Sequence, residues 1–219
     1  MSLPRIHDAL VTRLAADVTP VRRLWPPRLR LACWIVLEVS AVTVAVVASL
    51  RPTPLAALAR PSLLLQLGLL LAASAAGAWL AFEAAVPGSS PHHRHRPLVA
   101  LMLAAPLFVL LDPVSIRVPP EEFLAAGARC ATCIAAVSAG PWLLLVLAVR
   151  RGAPLDGRVA GAYAGAAALL LGASFIRIAC PIDEALHLLS WHTVPIALGT
   201  VLSALVGAAT LERWRAASE

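Results

Sequence analysis

VAGAYAGAAALLLGASFIRIA, residues 159–179, carries a single charge, Arg177, in 21 consecutive positions. A helix of about 20 apolar residues crosses the hydrocarbon core of a bilayer. Lipid offers no partner to a backbone N–H or C=O, so a stretch of this length must satisfy them internally, as a helix does. Gly161 and Gly165 have the small-xxx-small spacing that lets helix backbones approach closely, and Gly172 continues the glycine series. On either side of it, further apolar runs cover residues 31–50, 62–84, 98–111, 130–149 and 193–211, the third being the shortest. The pattern predicts an all-α, polytopic membrane protein with six transmembrane helices in one domain, residues 31–212. An arm, residues 1–30, precedes the domain, and a tail, residues 213–219, follows it.

Composition supports this class. Hydrophobic residues make up 60% of the chain and charged residues 14%, with a mean hydropathy of +0.82. A water-soluble domain carries about 25% charged residues. All 18 basic residues are Arg, which excludes a Walker-A lysine, a Schiff-base lysine and a Ser–Lys dyad. A net charge of +6 suits nucleic acid in a soluble chain. In this one the arginines flank apolar runs, where they set topology and meet anionic lipid. No direct nucleic-acid binding is expected. Thirteen arginines fall in the arm, alternate loops and tail, against five on the opposite side. Both termini are therefore expected in the cytoplasm. No cleavable signal peptide is expected, because thirty Arg-rich residues precede the first apolar run.

The arm is the only extended polar segment. Ile6, Leu10, Leu14 and Val18 recur every four residues, one face of a helix, with Asp8, Arg13 and Asp17 elsewhere around it. Pro4 suits a first turn and Pro20 a stop. A helix of about fifteen residues is marginal alone in water, so its apolar face needs a partner. Two uses fit: an anchor lying on the inner leaflet with Trp25, or a docking helix for a groove on a cytoplasmic protein. Pro26-Pro27 then breaks the chain before the first span.

Chemistry is sparse. Cys130-Ala-Thr-Cys133 has CxxC spacing at the outer start of the fourth run, and Cys180, His187 and His192 fall in or beside outer loops. Two or three thiolates with imidazole suit a soft ion such as zinc or copper(I). In an oxidising compartment Cys180 can instead pair with Cys130 or Cys133, and inert packing of buried thiols is a third reading. Cys33 reads as packing and His92-His93-Arg94-His95 as a solvated turn. Glu38, about eight residues into the first run, must be neutral, paired or close to water. His187-x4-His192 lacks the zincin spacing and glutamate. Asp183-Glu184 and Glu121-Glu122 are acidic pairs expected in outer loops, and neither marks a hydrolase. No enzyme and no resident cofactor beyond a transient soft metal ion is expected. A membrane thiol–disulfide oxidoreductase and a small transporter are the competing readings.

Several pieces in order carry a family resemblance. Leu14-Ala15-Ala16-Asp17 leads into Pro20-Val21-Arg22-Arg23-Leu24 and Pro26-Pro27. Cys130 precedes Arg150-Arg151-Gly152-Ala153-Pro154, and Cys180-Pro181 with Asp183 precedes Trp191-His192. The chain resembles the NrsF-type membrane anti-sigma factors, six-span proteins of the bacterial inner membrane that hold an extracytoplasmic-function sigma factor. The resemblance implies that the arm engages the sigma factor, through Ile6, Leu10, Leu14, Asp17, Val18, Arg22 and Arg23. It also implies that two cysteines sense oxidants or heavy metals as part of a stress response. By position these are Cys130 and Cys180, with Cys133 an additional thiol.

Overall fold

The computed structural model describes residues 3–16, 23–48, 54–88, 96–111 and 119–211, all of them in helices and short connections, with no strand among them. The helices are α1 (Leu3–Ala16), α2 (Pro27–Val47), α3 (Pro54–Leu58), α4 (Pro61–Ala84), α5 (Arg96–Ala104), α6 (Pro120–Arg150), α7 (Gly157–Ala179), α8 (Ala185–Leu188) and α9 (Val194–Leu211). A 3-10 segment, Ala105–Leu111, continues α5, and a π-helical turn, Leu189–Thr193, joins α8 to α9. Proline opens α2, α4 and α6, where its fixed φ is preset for the first turn and its missing N–H costs nothing. The α7 N-terminus is capped by Asp156, whose Oδ1 accepts the Val159 N–H at 2.9 Å, satisfying one orphan donor of the first turn.

Residues 159–179 lie in α7, the centre of the bundle. It packs against α9, α4, α6 and α2, and 72% of its apolar window is buried, against 22% for those of α2 and α6. Small side chains make that burial possible. A β-carbon on Gly161 would lie 2.5 Å from the Ser203 carbonyl oxygen, and one on Gly165 2.3 Å from Ser203 Cβ. The Ser203 hydroxyl then donates to the Gly161 carbonyl at 2.7 Å and accepts the Trp142 indole N–H at 2.7 Å, tying α6, α9 and α7 together. A second polar relay joins α2, α4 and α7. Trp34 donates to Glu38 and to Ser74, and Ser74 donates to the Ala167 carbonyl. The buried Glu38 carboxylate thus meets an indole N–H rather than lipid. Gly161→Val places new atoms against backbone that cannot move aside. It is expected to lower stability by about 1–3 kcal/mol, measured by denaturant titration of the reconstituted chain.

Five helical stretches, not the expected six, are long and apolar enough to cross a membrane among the described residues. They are Pro27–Val47, Pro61–Ala84, Glu121–Arg150, Gly157–Ala179 and Ala185–Leu211, a set compatible with a multi-pass membrane protein. The exception is the run 98–111. Pro106 removes a donor and disfavours α geometry at Ala105, so α5 stops at Ala104 and tightens to 3-10 geometry. Two boundaries also differ from expectation. Glu121 and Glu122 form the first turn of α6 rather than a loop, favourably placed at the positive end of the helix dipole. Arg28 and Arg30 belong to α2 rather than to the arm.

All described side chains of α1, Asp8 to Ala16, are exposed. The expected tail, residues 213–219, and the His92–His95 turn lie outside the described residues, as do Asp17, Val18, Arg22 and the Ile6 side chain.

Candidate functional site

Cys130, Cys180, His187 and His192 converge at one end of the bundle, all buried, with their ligand atoms within 4.8 Å of one another. Four elements deliver them. α6 presents Cys130 from its first third. α7 ends at Cys180, because Pro181 pushes that residue out of the helical region, to φ −76° and ψ 127°. His187 lies on α8 and His192 in the π-helical turn. Residues five apart on an α-helix point about 140° from one another. The wider π turn, with its i→i+5 bonding, brings His192 round to His187, and their ring centroids are 5.5 Å apart.

The Cys130 thiol donates to Cys180 Sγ at 3.6 Å, and Cys180 Sγ lies 3.9 Å from His187 Nε2. Both cysteines are free thiols. The Cys130 hydrogen bond, and then the His187 and His192 imidazoles, hold the Cys180 thiol below its ordinary pKa against burial, which pushes it up. Aromatic rings close the cluster. Phe123 meets His187 and Trp191 edge-on, at centroid distances of 6.1 and 6.0 Å. Trp191 fits a slot opened by Gly127, where a β-carbon would lie 2.1 Å from the indole.

Two buried ring nitrogens, His187 Nδ1 and His192 Nε2, have no hydrogen-bond partner among the described residues. An unsatisfied buried polar group costs about 1–3 kcal/mol. Two thiols and two imidazoles form the donor set of a tetrahedral zinc site, whose bond lengths put ligand atoms roughly 3.3–3.8 Å apart. The observed 3.6 and 3.9 Å separations approach that spacing, so the residues fit a soft divalent ion.

A charged clamp holds the Cys180 segment in place. Arg177, buried in the last turn of α7, donates from Nη1 to Asp183 Oδ1 at 2.5 Å and from Nε to Gln66 Oε1 at 2.8 Å. Arg60 Nη2 meets the other Asp183 oxygen at 2.9 Å. Asp183 thus crosslinks α7, the start of α4 and the turn that carries Cys180. Asp183→Asn halves this pairing and leaves Arg177 under-compensated. It is expected to lower stability by about 2–3 kcal/mol and to broaden NMR signals from residues 180–187.

Of the sequence-predicted site residues, the structure gathers Cys130, Cys180, His187 and His192 and leaves out Cys133. That thiol is exposed on the outside of α6, so the CxxC spacing does not bring two thiols together. Cys33, also exposed, is on α2. Leu10 and Leu14 are exposed on α1, and Arg23 is exposed ahead of α2. Sequence reasoning missed the clamp of Gln66, Arg177 and Arg60 on Asp183, although a lone arginine inside an apolar stretch signals that a partner exists. It also missed the seat of Trp191 on Gly127.

The described residues form a helical bundle of the membrane type, with a buried thiol–imidazole cluster at one end. Residues 14–214 match the family described as negative regulator of sigma F (NrsF), and the chain belongs to that family. No curated protein and no solved structure matches it.

Proposed function

We propose that the protein is an anti-sigma factor of the bacterial inner membrane that holds an extracytoplasmic-function sigma factor through α1. The observation that carries this is the exposure of Leu10, Val11 and Leu14, 53%, 63% and 60%, on a helix within a family of sigma regulators. An apolar helical face left uncovered suits a groove on a partner. From the sequence pattern, Ile6, Asp17, Val18, Arg22 and Arg23 join the same interaction, the arginines pairing with acidic groups beside the groove. Adding the sigma factor to the reconstituted chain is expected to slow hydrogen exchange of amides 8–16 at least tenfold. Unchanged exchange there sinks the docking reading.

We place both termini in the cytoplasm on the arginine bias of the loops, with α5 and its 3-10 continuation as a short additional crossing. α5 and its 3-10 continuation cover roughly 28 Å at their respective rises of about 1.5 and 2.0 Å per residue, close to the ~30 Å hydrocarbon core. The segment reaches the cysteine end of the bundle, where the Thr193 hydroxyl donates to the Pro106 carbonyl at 3.2 Å. With the arm cytoplasmic, the Cys130–Cys180–His187–His192 cluster faces the periplasmic side. There it serves as the sensor, responding to a soft metal ion or an oxidant. Cys130, Cys180, His187 and His192 would hold the ion, which supplies a crosslink between α6, α7 and the π turn. An oxidant would join the two sulfurs, contracting their 3.6 Å separation to about 2.05 Å. Either event moves α6 against α7 and weakens the grip of the arm. A thiol–disulfide oxidoreductase fits less well, because its second thiol pair is lacking: Cys133 stands apart and exposed.

A further inference from the structure

At the opposite end of the bundle from the cysteines, α2 and α6 part around a cavity of about 1150 Å³. Its walls are apolar, formed by Trp34, Leu37, Leu145 and Ala148, with Phe82 of α4 behind them. Three cations line it, Arg23, Arg30 and Arg151, and no carboxylate does among the described residues. Arg30 is nine-tenths buried, at 9% exposure. Its guanidinium carbon lies 4.9 Å from the centroid of the Phe82 ring, and its Nε and Nη1 have no hydrogen-bond partner among the described residues. A buried guanidinium with free donors is costly unless an anion meets it. Apolar walls beneath a cluster of arginines at a bundle end match one ligand chemistry, an acidic headgroup carrying long acyl chains.

We infer that this cavity binds an anionic phospholipid of the surrounding bilayer. Its phosphate sits between Arg30 and Arg151, and an acyl chain lies between α2 and α6. The inference rests on the membrane reading above. A zwitterionic lipid brings its own cation towards three arginines, and free phosphate leaves the apolar walls uncovered. Basic pockets between transmembrane helices select acidic headgroups for the same reason. Because Arg23, Leu24 and Trp25 line the cavity, a bound lipid also fixes the segment from which the arm departs.

The test uses the full chain in bilayers of phosphatidylcholine with and without phosphatidylglycerol. Native mass spectrometry after gentle detergent release counts the lipids retained. Phosphatidylglycerol is expected to be enriched over phosphatidylcholine about tenfold or more, and Arg30→Gln and Arg151→Gln each to cut the enrichment about fivefold. Arg151 is exposed, so its variant folds even if the Arg30 variant does not. Cys33 lines the cavity, and its alkylation, read by peptide mass, is expected to slow when phosphatidylglycerol is present. Equal retention of the two lipids, or enrichment unchanged in R151Q and in R30Q, overturns the inference. Cys33 protection that ignores lipid charge but disappears in L10D/L14D assigns the cavity to the arm and likewise overturns it. A chain that fails to enter bilayers at all overturns the membrane reading with it.

Discussion

Replacing Leu10 and Leu14 together by Asp is expected to weaken sigma-factor binding at least a thousandfold, with the bundle intact. The two leucines are one helical turn apart on α1 and more than half exposed, so the bundle loses no core when they change. Docked in an apolar groove, each contributes about 1.5–3 kcal/mol through burial of its side chain. A carboxylate in the same groove adds a desolvation penalty of its own. The two sites together forfeit about 4 kcal/mol or more, which is a factor of about a thousand in Kd. Titration calorimetry of the reconstituted chain against the sigma factor measures that loss, and a denaturant titration of the bundle is the control. The same pair separates the two uses of the arm. A docking helix loses the sigma factor, whereas an interfacial anchor keeps it and changes only its depth in the bilayer. Binding within threefold of the unsubstituted chain would eliminate α1 as the docking element.

The parts of the fold legible in the sequence are those for which lipid leaves one solution. Residues 159–179 and their four long companions carry too few charges for anything but helices, and each is a helix. Hydropathy fails where the helix outlasts the apolar run. α6 begins at Pro120, ten residues before Cys130, because Pro120, Glu121 and Glu122 suit a first helical turn although hydropathy does not mark them. It fails again over 185–193, where His187, Ser190 and His192 lower the hydropathy of a segment that is helical throughout. The run 98–111 errs in the other direction: it is apolar enough, but Pro106 interrupts its α geometry. The site was legible as a set of residue types at one end of the bundle, not as an arrangement. Cys130 and Cys133 are about 60° apart around α6 at 3.6 residues per turn. Which of them faces α7 is decided by the close approach of that helix at Gly172, where a β-carbon would lie 2.8 Å from the Ile134 carbonyl oxygen. Likewise a π turn, set by tertiary packing of Trp191 into the Gly127 slot, decides that His187 and His192 share a face. No local sequence signal specifies it.

Cys180→Ala is expected to lower the affinity of the purified, reduced chain for zinc by several hundredfold or more, while Cys133→Ala leaves it unchanged. A four-ligand structural zinc site gains about 10–16 kcal/mol in total, so one ligand of the set accounts for about 3–4 kcal/mol, or several hundredfold in Kd. Cys180 is the ligand with most to lose. Its sulfur lies 3.6 Å from Cys130 Sγ and 3.9 Å from His187 Nε2, and those neighbours already favour its thiolate, the form that binds metal. Cys133 is exposed and apart, which makes it the matched control. Competition against a chromophoric chelator gives the affinities, and cadmium gives an independent readout through its thiolate charge-transfer absorption. Two thiolates per ion are expected in the parent chain and one in C180A. An affinity unchanged in C180A, or lost in C133A, removes the cluster from the sensor role. The same measurement bears on signalling. A ligand shifts a two-state bundle only by its difference in affinity for the two states, and nearly complete release of a bound partner needs about 5.5 kcal/mol. An ion that engages all four side chains in one packing of α6 on α7, and only two or three in the other, supplies a difference of that size. C180A removes most of it, so the substituted chain is expected to hold its sigma factor in the presence of zinc.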